Sequence, residues 1–389
     1  MIDPPDSMQL TNLRLRDFRN HLDSSFQFTG GTNLLLGDNG EGKTNILEAI
    51  SYLCLTKSFY ASSDVLALNF GAELFEIAGT FVGGGGTEHR VRVAYAKMPV
   101  EKVVMVNKRR VEPFTSIIGK FPIVIFSPEY TAIVSGAPAD RRKFVDFVIS
   151  QSSSVYLQDL IAYRKVLRHR NQILKEAKLG RTDCSEMLPP WDDQMVVLGA
   201  AVTNRRNQFV REFQEFVTSA YHRLVGSAEE PTIEYRPMIS LSSRSTESEI
   251  RELLKVEIEK TRPVEMRAGI TLVGPQRDEL LFKINGLDLR SYASQGQQKT
   301  FLIALKIAEF FYLQDRSGET PILLLDDIFS ELDEHRAKQL LHFVEGLSQA
   351  FITSTSLRFF EKGTNFGESH KRFLVRSGTV VEQELAASA

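Results

Sequence analysis

Glycines at positions 37, 40 and 42, followed directly by Lys43-Thr44, break an apolar run that resumes at once with a different period: LLLGDNGEGKTNILEAI over residues 34–50. Residues 32–36 are apolar enough for a strand buried on both faces. Residues 45–53 space their apolar side chains as a helix does. Gly37-x-x-x-x-Gly42-Lys43-Thr44 between a strand and a helix fills the phosphate-loop pattern. Chemistry dictates those residue types. Glycines allow the backbone of Gly37, Asp38, Asn39, Gly40, Glu41 and Gly42 to turn its N–H groups inward around phosphate oxygens. The helix start at Asn45 adds the positive end of a dipole. Lys43 is a point charge for the β- and γ-phosphates, and the Thr44 hydroxyl completes a Mg²⁺ shell. A glycine-rich turn with a chance lysine would account for the glycines, but not for the strand before and the helix after.

Such a loop needs a second, carboxylate-bearing strand. PILLLDDIFSELD, residues 321–333, supplies one. Asp326 and Asp327 directly abut the apolar run, at the strand end where open α/β sheets bind ligands. Asp326 would hold Mg²⁺, directly or through water, and Asp327 would act as general base or orient the attacking water. The alternative, an Asp pair that only caps the next helix, suits Asp333 better.

A third stretch, Ser294-Gln295-Gly296-Gln297-Gln298, opens a long amphipathic segment with Phe301, Leu305, Ala308 and Tyr312 at helical spacing. A serine and a glycine there make another anion-binding corner, or simply an N-cap at Ser294. In order with the phosphate loop and the Asp-Asp strand, the run resembles the signature of ABC-type ATPases, with Ala293 and Gln295 replacing a leucine and a glycine of the transporter form. The resemblance implies an ATP-dependent head-to-tail homodimer. In it Ser294, Gln295, Gly296 and Gln297 of one copy cap the γ-phosphate held by the other. It further places a dimer-contact loop at residues 330–333. The switch position of the strand over residues 349–356 has no histidine, so Thr353 or Ser354 would take that contact.

At 389 residues the chain is too long for one core. Hydrophobic content of 42% and charged content of 25% are those of a soluble globular protein. The apolar runs are too short to span a bilayer, and the N-terminus has no secretory pattern, so no membrane partner and a cytoplasmic location are expected. Met8 offers a second start, with the residues before it an extension. Cys54 and Cys184 read as free thiols without metal spacing. Residues 129–265 read as an inserted, mainly helical lobe: helices over 141–150, 156–177 and 191–224, a strand over 232–238, and no coiled-coil heptads. The expected architecture is therefore α/β. A discontinuous head of mixed sheets and helices, residues 1–128 and 266–389, carries the lobe.

Across its whole length the chain resembles the RecF family. The motifs that carry this are LRLRDFRNH (13–21), TKSFY (56–60), FSPEYTAIVSGAPADRRKFVD (126–146), YRKVLRHRNQIL (163–174) and VGPQRDELLFKING (273–286), beside the loop, the signature and the Asp-Asp strand. The resemblance implies an ABC-type head with slow ATP hydrolysis. It implies binding to gapped DNA or single-strand/double-strand junctions, and partnership with RecR and RecO in loading RecA. Arg19 and Asn20 lie where related heads contact nucleotide, or else form a polar hairpin. Residues 127–129 are the expected nucleotide-sensing hinge. Another SMC-like repair head, a nuclease-associated ATPase, a transporter ATPase and a non-hydrolysing scaffold are the competing readings.

A net charge of −2 gives no chain-wide basic excess, so DNA would have to meet a local basic face. Arg164, Arg168, Asn171, Lys175 and Lys178 recur on one helical face beside an apolar stripe of Leu160, Tyr163, Leu167 and Leu174. Arg141, Arg142 and Lys143 form a second cluster, and Lys57, Lys108, Arg109 and Arg110 a third. Each would contact phosphates, or else face solvent as charged stripes usually do. No motif for base-specific readout occurs.

Overall fold

The computed structural model describes residues 8–181, 186–242, 245–345, 347–357, 360 and 370–383. Cys184 and the residues before Met8, on which expectations fell, lie outside them. The chain forms two compact units, Met1–Tyr130 with Ile303–Ala389, and Thr131–Leu302.

The first unit contains two six-stranded sheets. One orders its strands as Thr379–Gln383, Lys371–Arg376, Thr32–Leu36, Ala350–Ser354, Ile322–Leu325 and Ile123–Phe126. All its pairings are parallel except that of the outer Thr379–Gln383. Thr32–Leu36, Ala350–Ser354 and Ile322–Leu325 are buried at every position, as their uniform apolar runs demand of parallel strands covered on both faces. The second sheet is antiparallel, built around Gln9–Phe18, Leu74–Val82 and Glu88–Ala96, with apolar and polar residues alternating along the first of these.

The helix Lys43–Leu55 packs on this second sheet. Gly79 permits the approach, because a Cβ there would stand 2.4 Å from Leu53 Cδ1. Phe18, Tyr52 and Phe75 meet edge to face, with centroids 5.3 to 5.7 Å apart. Each fully buried Leu, Ile or Phe in this layer contributes about 1.5–3 kcal/mol. The helix that follows the glycine loop is thus held along its length by tertiary packing.

The second unit holds the helices Pro138–Ser152, Ser154–Lys178, Pro189–Val225 and Glu247–Ala268, with a three-stranded sheet of Leu287–Asp288, Glu279–Ile284 and Pro231–Arg236. The first three of these helices fall where periodicity places them. The return to the head does not, since it comes at Ile303 and not at residue 266. The reason is long-range pairing. Glu279–Ile284 pairs antiparallel with Pro231–Arg236. The buried Arg206 donates to the carbonyl of Pro275 at 2.6 Å, and the buried Arg170 donates to Thr271 Oγ1 at 2.8 Å. These contacts bind residues 271–284 into the helical unit. Among the described residues no helix is long and apolar enough to cross a membrane.

Candidate nucleotide site

Parallel pairing brings the C-terminal ends of four neighbouring strands to one sheet edge. Leu36 lies beside Ser354, Ile352 beside Leu325, and Leu325 beside Phe126. The segments that leave these strand ends therefore gather there: the phosphate loop after Leu36, Asp326-Asp327 after Leu325, and Ser127 after Phe126. Thr353 and Ser354 end the fourth.

Two glycines of the loop are sterically required. A Cβ on Gly37 would lie 2.4 Å from the carbonyl oxygen of Val375. Gly42 caps the helix at φ 108°, and a Cβ there would meet Asn20 Oδ1 at 2.4 Å. Lys43 is only 7% exposed, and its Nζ donates to the carbonyls of Gly37 and Asp38, both at 2.8 Å. The Thr44 hydroxyl donates to Asp326 Oδ1 at 2.8 Å. Thr353 Oγ1 donates to the same oxygen at 2.9 Å and accepts the backbone N–H of Asp327 at 2.8 Å. Asp327 itself sits at φ 45°, in the left-handed region that Asp tolerates better than most residues. Burial pushes the Asp326 carboxyl up. The hydroxyls of Thr44 and Thr353 pull it back, and Asp327 adds repulsion. Burial likewise lowers Lys43, against the attraction of Asp327 and Asp326.

Asn20 joins the loop from outside. Its Nδ2 donates to the Glu41 carbonyl at 2.9 Å, and its Oδ1 accepts from Asn45 Nδ2 at 2.8 Å. Arg19 turns elsewhere. Its guanidinium grips the buried carboxylate of Glu48 through two bonds of 2.8 Å and donates to the carbonyl of Leu66 at 2.8 Å. It is a tie in the hairpin turn, with three of its five N–H groups engaged by Glu48 and Leu66.

Ser294 and Gln297 bond reciprocally at the start of the helix Gln295–Ser317. The Gln297 N–H donates to Ser294 Oγ at 3.2 Å, and the Ser294 N–H donates to Gln297 Oε1 at 3.0 Å. Gln297 Nε2 donates to Glu229 Oε1 at 2.8 Å. The N-cap reading of Ser294 holds, and the residue remains exposed. Signature and phosphate loop belong to different units.

The basic clusters separate on burial. Arg168, Lys175 and Lys178 are exposed on one face of Ser154–Lys178, and Arg164 is exposed but paired with Asp146 at 3.0 Å. Asn171 instead accepts from the Thr271 N–H at 2.8 Å. Lys57, Lys108, Arg109 and Arg110 are exposed. Arg141 is the correction. It is 5% exposed and pairs with Glu279 at 2.5 Å, so it cannot reach a DNA phosphate. Arg142 is half-buried and donates to the Asp278 carbonyl at 2.7 Å. Sequence reading missed Glu48, the buried partner of Arg19. It also missed Arg170, wholly buried between Asp192 and Glu265 on the inner side of the basic stripe. Only its place opposite that stripe marks it in the sequence.

The family profile of an AAA domain matches residues 12–159. The chain is 41% identical to the DNA replication and repair protein RecF of Salinibacter ruber over 376 residues, which are 95% of this chain and 91% of that one. A solved structure of the recombination mediator protein RecF-ATP in the RecFOR pathway matches with a TM-score of 0.89 at 32% identity, covering 99% of this chain and 100% of that one. An Smc head domain with an extended coiled coil, bound to the C-terminal domain of ScpA and derived from Pyrococcus furiosus, matches with a TM-score of 0.54 at 15% identity. It covers 97% of this chain and 96% of that one, and the likeness is one of fold. Mixed sheets with helices around the strand-end cradle are thus the ABC-type head expected from the sequence.

Proposed function

This chain belongs to the RecF family of DNA replication and repair proteins, and from that premise we propose that it is an ATP-dependent DNA-binding protein that pairs with a second copy on ATP. The observation that carries the reading is the convergence of Lys43, Thr44, Asp326, Asp327 and Thr353 at one sheet edge, where Thr44 and Thr353 both donate to Asp326 Oδ1 and Thr353 accepts the Asp327 N–H. The donor set also fits Mg²⁺. A hydroxyl and a carboxylate oxygen stand side by side next to a phosphate cradle, and Mg²⁺ favours such hard oxygens while keeping waters and substrate phosphates as its other ligands. When bound, the ion would neutralise charge on the β- and γ-phosphates.

The chain's own residues do the rest. Gly37, Asp38, Asn39, Gly40, Glu41 and Gly42 present backbone N–H groups to phosphate, and Lys43 supplies the cation. Thr44 and Asp326 hold the metal. Asp327 orients or deprotonates the attacking water, and the Asp327 N–H bond to Thr353 fixes where it stands. Asn20 and Asn45 brace the loop. Ser294, Gln295, Gly296 and Gln297 meet the nucleotide of the second copy. ATP shared between loop and signature joins two heads, slow hydrolysis releases them, and the nucleotide times a DNA-bound state.

DNA contacts come from exposed Lys57, Arg164, Arg168 and Lys175 and engage phosphates, so gapped or junction DNA is recognised by structure and not by base sequence. RecR and RecO are the partners through which the protein assists RecA loading in the cytoplasm. The test is binding of labelled gapped duplex with ATP, ADP or no nucleotide, over a salt series, with phosphate release followed in parallel. ATP-dependent, steeply salt-sensitive binding and slow release support the reading. Equal binding in all three nucleotide states refutes it.

A further inference from the structure

We propose that the Ser377-Gly378 turn is a positioning element of the nucleotide site, holding the phosphate loop in its cradle shape from the opposite end of the sequence. The inference rests on the reading of residues 37–44 as that cradle.

The turn joins Lys371–Arg376 to Thr379–Gln383, with Arg376 paired to Thr379. Both turn residues have positive φ, 45° at Ser377 and 75° at Gly378, as a two-residue hairpin requires. Lys371–Arg376 also pairs in parallel with Thr32–Leu36, with Leu374 beside Leu36. The strand that feeds the phosphate loop and the strand that feeds the turn therefore end side by side.

Contact follows from this register. The Gly378 N–H donates to the Glu41 carbonyl at 3.0 Å, and the adjacent Ser377 N–H donates to the Glu41 carboxylate. Consecutive donors thus hold both the backbone and the side chain of one loop residue. The approach admits nothing larger than glycine, since a Cβ on Gly378 would lie 2.0 Å from the Asn20 carbonyl oxygen. On the loop's other flank Val375 O closes on Gly37. Ser24 Oγ donates to the Gly378 carbonyl at 2.9 Å and lies 3.0 Å from His21 Nδ1, whose Nε2 stands 3.2 Å from the Gly42 carbonyl. The clasp therefore touches the loop at Gly37, Glu41 and Gly42.

The physical reason is preorganisation. A phosphate loop works when its N–H groups face inward, so its carbonyls must be held outward by other donors. The turn supplies one of those donors, the Gly378 N–H on the Glu41 carbonyl, and its Ser377 N–H anchors the Glu41 side chain beside it. Without them the loop would order itself at the expense of nucleotide affinity.

The experiment measures affinity for a fluorescent ATP analogue, KM and kcat for turnover, and the Tm of nucleotide-free protein, for native chain, Glu41→Ala, Glu41→Gln and Gly378→Ala. Glu41→Ala loses a charge-assisted hydrogen bond, and its affinity should fall about tenfold. The loss should appear in KM, with kcat within about twofold and Tm within a few degrees. Glu41→Gln keeps an acceptor oxygen and should lose only about threefold. Gly378→Ala should lose at least as much affinity as Glu41→Ala. Unchanged affinity in Glu41→Ala, or a loss that simply tracks Tm across the variants, overturns this inference alone. Native protein without measurable nucleotide affinity overturns the cradle reading and this inference with it.

Discussion

The Thr44 hydroxyl donates to Asp326 Oδ1 at 2.8 Å, joining two motifs that stand 282 positions apart. Neither motif alone makes a nucleotide site. Parallel pairing on either side of Ala350–Ser354 sets the two strand ends at a common level, and the hydrogen bond reports that alignment.

The buried carboxylate at the centre of this contact should cost stability. The Asp326 carboxyl is raised above its ordinary value by burial, so its contribution is greatest at low pH and is lost as pH rises through the folded value. At neutral pH the ionised group opposes folding. Asp326→Asn, which retains an acceptor for Thr44 and Thr353, should raise the Tm of nucleotide-free protein by a few degrees near pH 7.5. That gain should disappear toward about pH 4, and Mg²⁺-dependent turnover should be lost. A lower Tm at neutral pH contradicts the assignment.

Ser294→Arg separates the two halves of the composite pocket. Loss of the Ser294–Gln297 cap costs about 1 kcal/mol of helix stability. ATP affinity of the monomer should stay within about twofold, because the phosphate loop lies in the other unit, while ATP-driven pairing should vanish. Equilibrium binding of labelled ATP, read beside sizing, checks both. A monomer that loses nucleotide affinity would show that the signature is misassigned.

The exposed and buried arginines should behave in opposite ways. Arg168→Glu with Lys175→Glu should weaken DNA binding across all sequences and reduce the slope of log affinity against log salt by about 2. Tm should hardly move, since both side chains are exposed. Arg141→Ala should instead lower stability, on the order of 2 kcal/mol, by leaving Glu279 without its buried partner. A salt slope unchanged in the double variant would remove the helix Ser154–Lys178 from the DNA surface.

The phosphate loop, the Asp-Asp strand and three helices of the second unit are legible in the sequence because each is local. Glycine spacing, apolar periodicity and an Asp pair abutting a strand carry their own physical meaning. Residues 266–302 are not legible in this way. Their membership of the helical unit depends on Glu279–Ile284 finding Pro231–Arg236, and on Arg170 and Arg206 reaching residues 271–275. Arg141 illustrates the same limit, since its neighbours Arg142 and Lys143 look alike in sequence and only packing buries it. The grip of the Ser377-Gly378 turn on Glu41 arises from sheet order and carries no local signal.

The central claim is that ATP joins two copies of this chain, and light scattering of the purified protein with ATP, ADP and no nucleotide tests it most directly, with Lys43→Ala as control. Removing the Lys43 ammonium should weaken nucleotide binding at least about tenfold. The account predicts a dimer with ATP, a monomer with ADP or without nucleotide, and a Lys43→Ala monomer throughout. A native mass that does not change with ATP, or a Lys43→Ala protein that dimerises like the native chain, would contradict it.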